Sequence, residues 1–354
     1  MTTLKDIAKL TGVSVNTVSR ALKDMPDIGT KTKERVMQTA KELGYTPNVM
    51  ARGLVMKRSF TIGVIVTELN NPSRSMLIQK LRQLASTKGF HLLVSGYDSD
   101  SDVGERIREM TSRGVDGLIL GNIDGILAEK PFWPDLEMAA KSGIPSVSFF
   151  NSLTTKTDNV SFDYSELSEV LTRHLIEKHK LKKILYTGES LECLRATGYQ
   201  KAMNSAGFQK NIGFIPLDYW SLTGNRKGII EFVKKQGPPE GIVCHNDLSA
   251  IGVISGLREI GLRVPEDVAV VGIDNIELAE FINPKLTTAG VNQAKVAEEL
   301  FRMLEDRISG RHSGGMRQVK LNYEVFLRES CGCLKMRTSD TGAAKLKIRK
   351  TNRK

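Results

Sequence analysis

An α/β fold behind a small all-helical head is predicted for this chain, and three observations predict it. From Phe60 onward, apolar strands alternate with amphipathic helices, and the alternation then repeats, as in two lobes of doubly wound parallel sheet. Residues 3–22 instead carry two short helical patterns around a glycine turn. Charge is partitioned in the same way. Of a net +11 over 354 residues, residues 1–60 hold 11 basic and 5 acidic side chains and residues 335–354 hold 8 and 1, so the stretch between is near neutral. A segregated basic end suits a nucleic-acid contact made by a small segment, with a body that has another task.

Thr3 caps a first helix whose apolar side carries Leu4, Ile7 and Ala8, with Leu10 beside them. Gly12 ends it in a turn. Ser14 caps a second helix that buries Val15, Val18 and Leu22 and leaves Asn16, Thr17, Ser19 and Arg20 outward. Short polar groups and one guanidinium fork can reach base edges or phosphates, so the pair is built to enter the major groove of DNA. A third helix spans Thr32 to Leu43, with Gly44 just past its end. Pro47 interrupts it. Asn48 caps a short segment, Val49 to Val55, which two turns cannot stabilise alone and Gly53 weakens further. It is expected to order only against a symmetric partner and a groove, with Leu54 as an apolar wedge for the minor groove.

Lobe one begins with the strand Thr61–Val66, followed by a helix from Met76 to Gly89 and strands at His91–Ser95, Gly117–Leu120 and Pro145–Phe150. Lobe two begins with a helix from Glu166 to His179, followed by strands at Lys183–Thr187, Ile212–Ile215, Gly241–His245 and Val268–Ile273. Ala294 to Ile308 is a further helix, and Val319 to Leu327 a late strand that belongs to either lobe. The expected domains are a head at 1–47, a hinge helix and linker at 48–59, lobe one at 60–160 with a return segment near 289–325, lobe two at 161–288, and a basic tail at 335–354. The tail reads as disordered and soluble, with auxiliary nucleic-acid contact as its rival. Two such lobes close around a small molecule where the carboxyl ends of their strands face each other.

No apolar run approaches the ~20 residues that span a bilayer, and no secretory signal opens the chain. Four cysteines form no staple framework, so the expectation is a reduced, cytoplasmic protein without membrane contact. The five histidines, His91, His174, His179, His245 and His312, are scattered through separate elements, and no metal repeat, nucleophile elbow, phosphate loop or dinucleotide fingerprint is present. His245 beside Asn246 and Asp247 reads as a group lining a binding site, with a catalytic base as the rival. Cys331-Gly332-Cys333 has the form of half a zinc site with no second pair near it, so no metal and no cofactor is expected.

The motifs together resemble the lactose and galactose repressor family of bacterial transcription regulators over residues 3 to 333. They are Leu4-Lys5-Asp6-Ile7-Ala8, Gly12-Val13-Ser14, Thr17-Val18-Ser19-Arg20, Glu42 to Asn48, Ala51-Arg52-Gly53-Leu54, Gly272-Ile273-Asp274-Asn275 and Arg328-Glu329-Ser330-Cys331. The resemblance implies a homodimer on a near-palindromic operator of double-stranded DNA, hinge helices in the central minor groove, and a periplasmic-binding-protein-like core that answers a small effector. It implies a DNA-facing set of Lys5, Ser14, Asn16, Thr17, Ser19, Arg20, Asn48, Ala51, Arg52 and Leu54. It implies an effector pocket of Asn71, Ser73, Phe150, Asn151, Arg195, Trp220, Asn246 and Asp274. Asp274 would accept from vicinal hydroxyls, Arg195 and Asn246 would donate to oxygens, and Trp220 would lie on a sugar face. That set leans toward a sugar or sugar derivative, with a purine or other metabolite as the alternative. Asn151 departs from the aspartate of many sugar-responsive members. Leu346 and Ile348 lack heptad spacing, which favours a dimer over a tetramer. A solute-binding protein or an enzyme are the remaining rivals.

Overall fold

The computed structural model describes residues 2–45, 58–67, 69–97, 100–123, 131–150, 157–188, 190–217 and 221–333, and the backbone of 345–346. The chain divides into two compact units, residues 1–59 and 60–354.

In the first unit, helix α1 spans Leu4–Thr11, α2 spans Val15–Leu22 and α3 spans Thr30–Glu42. Thr3 and Asp6 form a reciprocal capping box at the start of α1, and Gly12 ends it in the left-handed region. Ser14 Oγ accepts from the Thr17 amide at 3.0 Å and so caps α2. Ile7, Ala8, Val18, Ala21, Val36 and Ala40 make a small core, with Leu4, Val13, Leu22, Ile28, Leu43 and Tyr45 packed around it. Two apolar expectations are corrected. Leu10 is 65% exposed and Val15 40% exposed. At about 100° per residue, Leu10 lies roughly a quarter turn or more from the Ile7–Ala8–Thr11 face. Val15 is similarly offset from the Val18–Ala21 face. Thr11 fills the inward position instead, its hydroxyl donating to the Ile7 carbonyl at 2.7 Å.

The second unit holds two sheets. Strands β1 (Thr61–Val66), β2 (His91–Gly96), β3 (Gly117–Ile123), β4 (Ser146–Phe150) and β5 (Asp158–Ser161) belong to the first, with helices α4 (Pro72–Thr87), α5 (Asp100–Ser112) and α6 (Trp133–Lys141) between them. Helices α7 (Tyr164–His179), α8 (Leu194–Ser205), α9 (Leu222–Gln236) and α10 (Asp247–Glu259) alternate with β6 (Ile184–Gly188), β7 (Phe214–Pro216), β8 (Gly241–Cys244) and β9 (Ala269–Ile273) in the second. The chain then runs through β10 (Thr287–Val291), α11 (Gln293–Ile308), β11 (Gln318–Lys320) and β12 (Tyr323–Phe326), and β13 (Lys345–Leu346) follows. Sheet one has the order β11-β5-β4-β3-β1-β2 and is parallel throughout. Sheet two has the order β13-β12-β10-β9-β8-β6-β7, antiparallel only where β12 pairs with β10 and β13.

The stretch read as one late strand is two strands in different sheets. β11 joins lobe one beside β5, and β12, only two residues later, joins lobe two beside β10. What returns to lobe one is therefore α11 and β11, while β10 and β12 stay with lobe two. Helix starts also lie earlier than periodicity suggests, because polar caps precede the first apolar residue: Asn71, Asp163, Ser221 and Asn246 each accept a backbone N–H one to three residues into their helix.

Each sheet is covered on both faces. Along β1, Ile62, Val64 and Val66 face a core that runs from lobe one into lobe two, whereas Ile65 faces the opposite layer with Val103, Ile107 and Leu118. In lobe two, Ile242 and Val270 face a third layer under α9 and α10. One fully buried carboxylate ties the return segment to lobe one. Asp158 accepts from Arg307 Nη2 at 2.8 Å, from Arg317 Nη2 at 2.7 Å and from the Arg317 amide at 2.7 Å. Burial alone would push this carboxyl up, but the hydrogen bonds from Arg307 and Arg317 win and hold it below the usual range.

Because its folded pKa is lowered, the stability Asp158 contributes is present above the unfolded carboxylate value of about 3.9 and lost as pH falls through the folded one. Asp158→Ala is expected to cost about 3–5 kcal/mol at pH 7, since it removes the buried carboxylate that two partly buried guanidiniums share. Urea unfolding of wild type and variant should show that gap narrowing as pH falls below about 4. An equal gap at both pH values would remove the ion pair as its cause.

Candidate nucleic-acid interface and effector cleft

The second helix of the head presents its polar side. Lys5, Ser14 and Asn16 are exposed, and Thr17, Ser19 and Arg20 half-buried. Ser14 does double duty, capping α2 and meeting Thr17 Oγ1 at 2.9 Å, which fixes both hydroxyls at the helix N-terminus. Asn16 projects from the same first turn. Arg20 is not a loose fork: its Nε and Nη2 donate to the two carboxylate oxygens of Asp27 at 2.9 and 2.7 Å, which sets the plane of the guanidinium. Asn48, Ala51, Arg52 and Leu54 lie outside the described residues, as does the expected hinge helix.

In the core, elements from both lobes converge on Asp274, at the carboxyl end of β9. Asn71, the cap of α4 in lobe one, donates from Nδ2 to Asp274 Oδ2 at 3.0 Å. Arg195, in the first turn of α8 in lobe two, donates from Nη2 to Asp274 Oδ1 at 3.3 Å. The Arg195 guanidinium also stacks over the Tyr164 ring, 4.0 Å from its centroid, and Tyr164 OH accepts from Arg74 Nη2 at 3.1 Å. All these side chains are buried. Gly198 makes the arrangement possible: a Cβ there would stand 2.0 Å from the Ser165 carbonyl, so only glycine lets α8 lie this close to α7 and bring Arg195 onto Tyr164. Asp274 and Asn275 both have positive φ, 123° and 52°, strained values for non-glycine residues. The Ala289 carbonyl accepting from the Asp274 amide and Arg328 donating to Asn275 Oδ1 hold them there.

The remaining expected pocket residues divide. Ser73 lies beside Asn71, but its hydroxyl accepts from Gln293 Nε2 at 2.9 Å. Asn246 spends its Oδ1 on the Ser249 amide as the cap of α10. Phe150 ends β4, and its side chain, like Asn151 and Trp220, lies outside the described residues. Arg74 and Tyr164 were missed because an arginine in a helical pattern usually signals a wet face; here it is fully buried. His245 joins the same neighbourhood, with Nδ1 2.7 Å from Tyr186 OH. Burial, then the charges of Arg195 and Arg74, keeps it well below its ordinary pKa and therefore neutral.

The reading that no second pair lies near Cys331-Gly332-Cys333 is corrected. His174 and His179 are both on α7, and the segment after β12 returns along β9 and β10 so that Cys331 and Cys333 meet them. Distance along the chain hid the second pair that Cys331-Gly332-Cys333 lacked. Among the described residues no helix is long and apolar enough to cross a membrane.

Residues 3–48 match the pattern described as bacterial regulatory proteins, lacI family, and residues 172–331 that of the periplasmic binding protein-like domain. The chain is 30% identical over 345 residues to the HTH-type transcriptional repressor PurR of Vibrio vulnificus, covering 93% of this chain and 98% of that one. Among solved structures it shares its fold with the lac repressor dimer bound to operator and the anti-inducer ONPF, at TM-score 0.76 and 24% identity over 93% and 99% of the two chains. It is also similar to the transcriptional regulator CelR in complex with cellobiose, at TM-score 0.63 and 25% identity over 93% and 100%.

Asp247 lies just behind the cluster, accepting from Thr288 Oγ1 at 2.6 Å and from the Ile276 amide at 2.9 Å. Burial, with the Asp274 charge next, pushes its carboxyl up to about 7. A raised carboxyl binds its proton more readily folded than unfolded, so its contribution to stability falls as pH rises through 7. Asp247→Asn should therefore gain on wild type by about 1 kcal/mol between pH 6 and pH 8. Thermal unfolding of both proteins at the two pH values checks this, and a constant difference would refute it.

Proposed function

We propose, from the premise that this chain belongs to the lacI family of bacterial regulatory proteins, that it is an operator-binding repressor governed by a small effector, most simply a sugar or sugar derivative. The observation that carries this reading is the pair of hydrogen bonds on Asp274, one from each lobe. A polyol entering the cleft offers hydroxyls that can replace Asn71 as donor to Asp274 while Arg195 donates to a ligand oxygen. Binding would then act on the very contact that joins the lobes, and a ligand shifts an equilibrium by its differential affinity for the two states. The cellobiose complex of CelR supports a sugar, and the similarity to PurR keeps a purine as the second reading.

Operator binding belongs to the head in this reading. Asn16, with Thr17 and Arg20, reads base edges, while Lys5 and Ser14 hold phosphates and Ser19 completes the face. Leu54 would enter the minor groove as the resemblance implies, with Asn48 and Ala51 in the same hinge and Arg52 on phosphates. Two chains act together as a homodimer, as in the lac repressor dimer on its operator. The core is a sensor in this reading, and formation of product from any pocket ligand would overturn that assignment.

Asn16→Ala should weaken binding to the selected operator by about 1–3 kcal/mol and relax the preference at one base pair per half-site. Lys5→Ala should weaken all duplexes about equally and flatten the salt dependence. Selection from genomic fragments followed by titration of both variants distinguishes the two patterns. A thermal-shift screen of sugars, sugar acids, sugar phosphates and purines, then operator titration with each hit, tests the effector. Asp274→Asn is expected to keep operator affinity while losing about 1.5–3 kcal/mol of ligand affinity. Undiminished ligand response in that variant would remove Asp274 from the site.

A further inference from the structure

We infer that His174, His179, Cys331 and Cys333 form a tetrahedral binding site for a thiophilic divalent cation of the zinc type, which locks the end of the core chain to helix α7. The donor atoms of all four lie within 4.8 Å of one another. His174 Nε2 stands 3.1 Å from Cys333 Sγ, 3.2 Å from His179 Nε2 and 3.6 Å from Cys331 Sγ, and Cys333 Sγ is 3.3 Å from His179 Nε2. Zinc–sulfur bonds of about 2.3 Å and zinc–nitrogen bonds of about 2.0–2.1 Å give a tetrahedron with edges of roughly 3.3–3.8 Å. Of the four edges given, two fall within that range and two lie 0.1–0.2 Å below it, and the remaining two are no longer than 4.8 Å.

Hydrogen bonding alone accounts poorly for the convergence. A neutral imidazole offers one N–H or one lone pair at Nε2, and thiols are weak partners, yet both rings aim Nε2 at each other and at Cys333 Sγ, and His174 Nε2 meets Cys331 Sγ as well. A central cation satisfies all four at once, with the thiols giving up their protons as thiolates and both imidazoles neutral. Nitrogen and sulfur donors exclude calcium and magnesium in favour of a softer metal.

Local structure prepares each ligand. His174-x4-His179 has ordinary zinc-ligand spacing, with His179 as the last residue of α7 before Lys180 turns left-handed. The cysteine pair is one residue tighter than the usual spacing. Gly332, at φ 94°, supplies the reversal that turns both sulfurs to one side. Cys331 is fixed from behind: Thr287 Oγ1 donates to its sulfur at 3.1 Å, and Ser330 Oγ donates to the Val270 carbonyl at 2.6 Å. Such an outer hydroxyl is what orients a ligating thiolate. His174 and His179 are half-buried, and a cleft of about 690 Å³ lined by His179, Cys331 and Gly332 offers an ion a way in. The cross-link would close a loop of more than 150 residues at the root of the basic tail, where constraint of the unfolded chain is large.

The test uses the full-length protein, reduced, stripped with a chelator and titrated anaerobically with zinc chloride or cobalt chloride. One ion per chain is expected. Cobalt should give the intense visible bands of a tetrahedral centre with thiolate charge transfer, bleached by zinc. Cys331→Ser with Cys333→Ser should abolish both features, as should His174→Gln with His179→Gln, whereas His91→Gln should keep them. Because those variants can lose the fold, alkylation of the wild type gives an independent readout: zinc should shield Cys331 and Cys333 from iodoacetamide and leave Cys193 unprotected. Substoichiometric binding, cobalt bands that survive the double cysteine variant, or alkylation unchanged by zinc would each overturn the site.

Discussion

The core depends on the chain passing three times between its two sheets. The first pass follows β5, the second precedes α11, and the third lies between β11 and β12. Neither lobe is a continuous stretch, so neither can complete its sheet without the other's chain. Sheet one needs β11 from late in the sequence to cover β5, and sheet two needs β10 and β12 from either side of that excursion. The buried carboxylate of Asp158, gripped by Arg307 and Arg317, holds the late segment to the early one in lobe one. Asp274 does the corresponding work between lobes. Both are buried charges whose partners come from distant parts of the chain, an arrangement that favours one particular pairing of segments over others.

Much of this was legible in the sequence where apolar periodicity is strong. The alternating strands and helices of both lobes, and the capped helical pair of the head, follow from residues such as Ile62 to Val66, Ala269 to Ile273 and Ser14 with Thr17. Polar or short elements escaped. Asp158-Asn159-Val160-Ser161 and Thr287 to Val291 are too polar or too brief to read as strands, yet both are fully buried, each an inner strand with a neighbouring strand on either side. The stretch from Val319 to Leu327 looked uniform because the pattern along a strand says nothing about which sheet it joins.

The site was legible by residue type more than by partner. Asn71, Arg195 and Asp274 were identifiable at element ends, but their mutual hydrogen bonds were not, since a chain pattern carries no information on what lies across a cleft. Arg74 shows the reverse failure, a charge whose burial is visible only in three dimensions. The histidine–cysteine quartet was hidden by more than 150 residues of intervening chain, and no local spacing rule spans that gap.

The third pass has a mechanical consequence. Leu321 and Asn322 alone separate a strand of one lobe from a strand of the other. The three residue steps from Lys320 to Tyr323 reach at most about 11 Å, too short a tether for the lobes to slide apart. They can only swing, with the three passes as the axle. Under the proposed function, a small molecule acting on Asp274 near that axle would work as a hand at the short arm of a lever, and a small rearrangement there would be magnified at the far rim of each lobe.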